Sequence, residues 1–175
     1  VSNPVDSSDI VRVKFGKMDC KSNLNSLFGT MYRNLNTMVA TTVTPVTDTI
    51  ARNAVGVAGG YANYTSLYGN DFNSGGAAQT ITITSIAKYS DNNYVGMYID
   101  YNKDGDFADA GETIFESSAA LFGPQTFTAS HVIPTSAYSV YRMRVMTSTT
   151  PVNSGLTSLT SGEIEDYNLN IGTTP

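Results

Sequence analysis

Tyr94-Val95-Gly96-Met97-Tyr98-Ile99-Asp100-Tyr101-Asn102-Lys103-Asp104-Gly105-Asp106 is the stretch that decides the fold. Val95, Met97 and Ile99 alternate with Tyr94, Gly96 and Tyr98, and this period of two marks a strand with one buried face. At its end the residues change character. Oxygen-bearing side chains stand at Asp100, Asn102, Asp104 and Asp106, with Gly105 where a chain wrapping a cation must bend. That is the spacing of a calcium loop, since calcium takes six to eight oxygen ligands. Asp100, Asn102 and Asp104 are expected to offer side-chain oxygens and Asp106 its backbone carbonyl, with Glu112, or failing it Asp109, closing the shell. An EF-hand places its closing Glu at the twelfth loop position, between two helices. Here the twelfth residue is Gly111 and the preceding segment reads as a strand, so the expectation is a calcium loop that leaves a β-strand. The bland alternative is an acidic Gly turn that only keeps a hairpin soluble.

Working outward, 175 residues suffice for one well-cored domain, and the expected layout is a single domain over 1–175 with residues 1–9 as an N-terminal arm and 172–175 as a tail. Charged residues make up only 14%, so a surface rich in Thr, Ser, Asn and Gly follows. A net charge of −5 and the lack of any basic run argue against binding nucleic acid or anionic membrane. No apolar run approaches the ~20 residues that span a bilayer. A chain opening on Val1 is expected to be a mature or excised product. Cys20 is the single cysteine and has no internal disulfide partner; a small buried residue is the expected role.

Alternation supplies further strands. Val11, Val13 and Phe15 make the first, Ile81 and Ile83 another, and Phe127, Ala129 and Ile133 a third that stops at Pro134. Tyr141, Met143 and Val145 alternate with Arg142 and Arg144, and Tyr167, Leu169 and Ile171 close the series. Over 22–39 the apolar residues fall at helical spacing among poor helix formers, which admits a short helix. Residues 56–73 read as a Gly- and Tyr-rich loop. Its Tyr61, Tyr64 and Tyr68 are candidates for stacking on glycans, with half-buried packing the stronger reading. Short alternating strands separated by turn signals give an all-β, jelly-roll-like β-sandwich.

A second acidic cluster, Glu163-Ile164-Glu165-Asp166, stands directly ahead of the last strand. Carboxylates this close repel unless cations compensate, and a bound metal or the pair Arg142 and Arg144 would do so. The combination of residues 98–112, Val132-Ile133-Pro134, Tyr141-Arg142-Met143-Arg144-Val145 and Gly162-Glu163-Ile164-Glu165-Asp166-Tyr167 resembles the GEVED domain family, with Ile164 in place of the family's Val. The resemblance spans roughly Gly59 to Ile171. It implies a β-sandwich module of secreted or surface-anchored bacterial proteins, often beside hydrolase or adhesin domains, without a settled activity.

Catalysis finds little support, because a Ser-His-Asp or Cys-His arrangement would depend on His131 alone and no nucleophile elbow or zinc motif is present. The expected function is a non-catalytic, Ca2+-stabilised extracellular structural module. Self-association into a filament through the N-terminal arm would place the arm's strand on a neighbour's sheet. The alternative is a glycan-binding or adhesion accessory module that holds polysaccharide.

Overall fold

The computed structural model of the protein describes residues 8–16, 18–21, 61–65, 71–72, 74–87, 92–118, 121–122, 125–135, 138–155, 159 and 162–172. The strands are β1 (Ser8–Phe15), β2 (Met18–Lys21), β3 (Tyr61–Tyr64), β4 (Asp71–Phe72), β5 (Gln79–Ala87) and β6 (Asn92–Asp100). They continue with β7 (Thr113–Glu116), β8 (Leu121–Phe122), β9 (Gln125–His131), β10 (Ser139–Ser148) and β11 (Gly162–Ile171). No helix occurs among the described residues.

Alternation explains the layering. One sheet runs β2-β1-β5-β9 and the other β3-β11-β10-β6-β7, with β4 added along β11 and β8 along β6. Val13, Phe15, Ile81 and Ile83 on the smaller sheet meet Val95, Met97, Ile99, Met143, Val145, Leu169 and Ile171 on the larger, and each is at most 1% exposed. This is the all-β sandwich that the alternation implied, with Val13, Phe15, Ile81, Ile83, Met143, Val145, Leu169 and Ile171 inside as expected. At about 25 cal/mol per Å2 of apolar surface, this shared layer is the main favourable term in folding.

The larger sheet also carries apolar residues on its outer face. Tyr98, Met146 and Ile164 form a second, smaller cluster there, closed over by Phe107 and Val152. Phe107 belongs to the acidic loop, so the loop is pinned flat against the sheet by its one phenylalanine.

Three sequence expectations change. Residues 163–166 do not precede the last strand but lie inside β11, where Glu163, Glu165 and Asp166 are buried. Unpaired charges stay at the surface; here each acid has a partner. Gly162 opens the strand at φ 138°, and a Cβ there would sit 2.0 Å from the Thr147 carbonyl oxygen, so only glycine fits. Tyr61–Tyr64 and Asp71–Phe72, expected within a loop, pair in parallel with β11. Ser8 and Asp9, expected as the end of an arm, begin β1 opposite Ala87 and Ile86. The helical spacing at 22–39, Tyr68, residues 1–7 and the tail at 173–175 lie outside the described residues.

Candidate metal centre

The loop between β6 and β7 is built from its acids upward. Asp100, at the buried end of β6, accepts from the Lys103 N–H (2.6 Å) and the Gly105 N–H (3.1 Å). Each following oxygen catches the amide two residues on: Asn102 Oδ1 that of Asp104 (2.9 Å), Asp104 Oδ1 that of Asp106 (3.1 Å), Asp106 Oδ1 that of Ala108 (2.8 Å). Such Asx turns make the i, i+2, i+4 spacing wind the chain. Lys103 and Gly105 take the left-handed conformation at φ 66° and 98°, which completes the winding.

Asp104, Asp106 and Asp109 are brought together, each offering a carboxylate oxygen within 4.8 Å of the others, and all three are exposed. The Asn102 amide nitrogen lies among them, donating to Asp104 Oδ2 (3.0 Å) and Asp109 Oδ2 (2.6 Å). These N–H donors hold the Asp104 carboxyl below its ordinary range, the Asp106 amide first and Asn102 next. Of the residues named from sequence, Asn102, Asp104 and Asp106 meet here, and Asp109, the weaker candidate for closure, joins them. Asp100 and Glu112 stand outside this trio.

Glu112 is placed differently. It is 1% exposed, and its Oε1 accepts from the amides of Tyr101 (2.8 Å) and Asn102 (3.2 Å) at the mouth of the loop. Its Oε2 is buried with no hydrogen-bond partner. A buried carboxylate oxygen without a donor is costly, and a cation is the partner that would relieve it. The donor set, all oxygen and mostly carboxylate, is that of a hard divalent ion.

No ion pair among the described residues reaches these acids. Lys103, the only basic residue from Asp100 to Glu112, turns away: its ammonium meets Ser139 Oγ and lies 4.6 Å from the centre of the Tyr141 ring. Behind it, the Tyr101 hydroxyl meets His131 Nε2 at 2.8 Å, and the two rings stack. His131 thus ties the loop to the smaller sheet, and burial lowers its pKa. Burial likewise raises that of Tyr101.

The acids of β11 make another arrangement. Asp166 accepts from Arg144 Nε (2.7 Å) and Nη2 (2.8 Å), from Arg142 Nη2 (3.0 Å) and from the Tyr61 hydroxyl (3.0 Å). Glu163 Oε2 accepts from the Ile10 amide (2.7 Å), which joins the two sheets, and Glu165 accepts from Tyr167. Arg142 and Arg144 therefore serve the β11 cluster, as one of the two sequence readings had it. Tyr61 and Tyr64 are three apart on one strand and point to opposite faces; Tyr64 packs on Tyr167 at 5.3 Å between ring centres.

Fold and site define a two-sheet β-sandwich with an acidic, metal-competent loop on the outer face of its larger sheet. Residues 94–170 match the family model of the GEVED domain. The resemblance carried by the motifs therefore holds over β6 to β11, both acidic clusters included. Similar solved structures include the crystal structure of the CARDB domain of the PF1109 protein from Pyrococcus furiosus in complex with di-metal ions. It is 9% identical, the match covers 61% of this chain and 87% of that one, and the TM-score is 0.37. The solution structure of the same domain is 11% identical over 59% and 86% of the two chains, with a TM-score of 0.36. No curated protein matches the chain.

Proposed function

We propose that this chain is a non-catalytic, calcium-stabilised structural module of a secreted or cell-surface assembly. The observation that carries the reading is the buried, unpartnered Glu112 Oε2 beneath a loop whose acids find, among the described residues, only N–H donors. Asp104, Asp106 and Asp109 with the Asn102 amide would hold the ion on the exposed side and Glu112 on the buried side. Each carboxylate oxygen already in one hydrogen bond keeps a second lone pair for a metal. The ion offsets the mutual repulsion of the acids and so fixes the exit of β6 and the seat of Phe107. A loop this open suits an exterior where calcium is plentiful.

The role is architectural. The single histidine is used in a hydrogen bond to Tyr101 that ties the loop to the smaller sheet, a structural use. Pairing of β1 with β5 runs back to Ser8 opposite Ala87, so residues 1–7 continue from the end of a paired strand, a position from which an arm reaches a neighbouring copy. Deleting residues 1–7 is expected to abolish filaments seen by electron microscopy while the melting temperature of the domain stays within a few degrees. Filaments of unchanged length and number from the shortened chain would contradict the assembly reading.

A further inference from the structure

A cavity of about 240 Å3 lies beside the metal loop, lined by residues 105–108, by Arg144 of β10, and by Ser154 and Gly155 in the turn that follows β10. Its floor is rigid. Phe107 is 2% exposed, and the Arg144 guanidinium stacks 4.9 Å from the centre of its ring. Arg144 engages Asp166 through Nε and Nη2, which leaves Nη1 as its remaining donor group. Asp166 is shared with Arg142, so its carboxylate does not occupy every donor of Arg144.

The acidic loop supplies another part of the lining. Asp106 lines the cavity and belongs to the exposed carboxylate trio. Calcium takes six to eight oxygens, and an ion held by exposed acids keeps coordination positions open to outside oxygens. An ion held by Asp106 and its neighbours would therefore face the same cavity as an arginine with a spare donor group. Its volume is below the roughly 300–1,000 Å3 of pockets that enclose drug-sized ligands, and suits one ring.

We propose that this cavity binds a carboxylate-bearing sugar, a uronic acid unit of a polysaccharide, with its carboxylate on Arg144 and its ring oxygens toward the cation. The inference rests on the calcium reading above and adds a ligand to it. A neutral sugar would leave the Arg144 donors without a charged acceptor, whereas a carboxylate gives them a charge-assisted bond. Without the ion, Asp106 would repel the same carboxylate, so binding is calcium-dependent. Room exists at the rim: a Cβ on Gly155 would meet only Asn153 Oδ1, at 3.4 Å, and its φ lies outside the left-handed region. A larger side chain there fills the cavity without backbone strain.

The test is saturation-transfer NMR on the full chain with methyl glucuronide, methyl glucoside and an N-acetylated amino acid, each in calcium and in chelator. The glucuronide is expected to bind in calcium at least tenfold more tightly than the other two, and chelator to remove its signal. Arg144→Gln and Gly155→Leu are each expected to weaken it at least tenfold. Gly155→Leu should keep the calcium-dependent rise in melting temperature, which separates loss of the ligand from loss of the ion. Equal binding of glucuronide and glucoside, preference for the amino acid, or undiminished binding by Gly155→Leu would overturn the proposal. Failure of calcium to raise the melting temperature of the parent chain would instead remove the ion reading beneath it.

Discussion

The two acidic clusters of this molecule solve the same problem in opposite ways. In β11, Asp166 is fully buried and answered by Arg142, Arg144 and Tyr61 from neighbouring strands. In the loop, Asp104, Asp106 and Asp109 are exposed, no side-chain cation among the described residues reaches them, and the one lysine among them points elsewhere. A cluster that brings its own cations is part of the fold. A cluster that lacks them, with a buried carboxylate oxygen left without a donor, is fit for an ion from outside. Arg144 lies between the two, holding Asp166 and stacking on Phe107 of the loop rather than on its acids.

The contrast predicts a graded series. Asp166→Ala should do most harm, about 3 kcal/mol by urea denaturation, with or without calcium, because it leaves Arg144, whose side chain is only 12% exposed, without its carboxylate. The bond to Arg142, whose side chain is 37% exposed, adds little to that figure. A loss that depends on calcium would break the distinction between the clusters. Phe107→Ala should cost about 3 kcal/mol, the low end for a phenylalanine because its cluster is small, and should also weaken calcium binding measured by calorimetry. Asp104→Ala should leave stability in chelator unchanged and abolish only the increment that calcium gives.

The smallest effect is on pH. Burial holds the folded-state pKa of His131 below its unfolded value near 6.5, so between the two the unfolded chain binds a proton that the native chain does not. Stability is then full above about pH 6.5 and declines as pH falls through that window. His131→Gln should flatten this part of the profile of melting temperature against pH.

Much of this was legible in the sequence because it is local. Val95, Met97 and Ile99 announce their strand, and the alternate oxygens of Asn102, Asp104 and Asp106 announce the winding, since each acts on an amide two residues away. The β11 cluster was legible as needing cations but not as a strand, because its partners come from β10 through a register no short window contains. Tyr61–Tyr64 and Asp71–Phe72 were missed for the same reason: each is short, and its pairing with β11 is parallel and distant. One signal was there to be used. A phenylalanine between Asp106 and Ala108 in so polar a loop has to be buried somewhere, and Phe107 marks where the loop docks.

Thermal unfolding of the full chain in millimolar calcium and in excess chelator tests the central claim most directly. A hundredfold excess of calcium over its dissociation constant corresponds to about 2.7 kcal/mol, so the melting temperature is predicted to rise by several degrees with calcium, and not in Asp104→Ala. Superimposable curves for the parent chain in calcium and in chelator would contradict it.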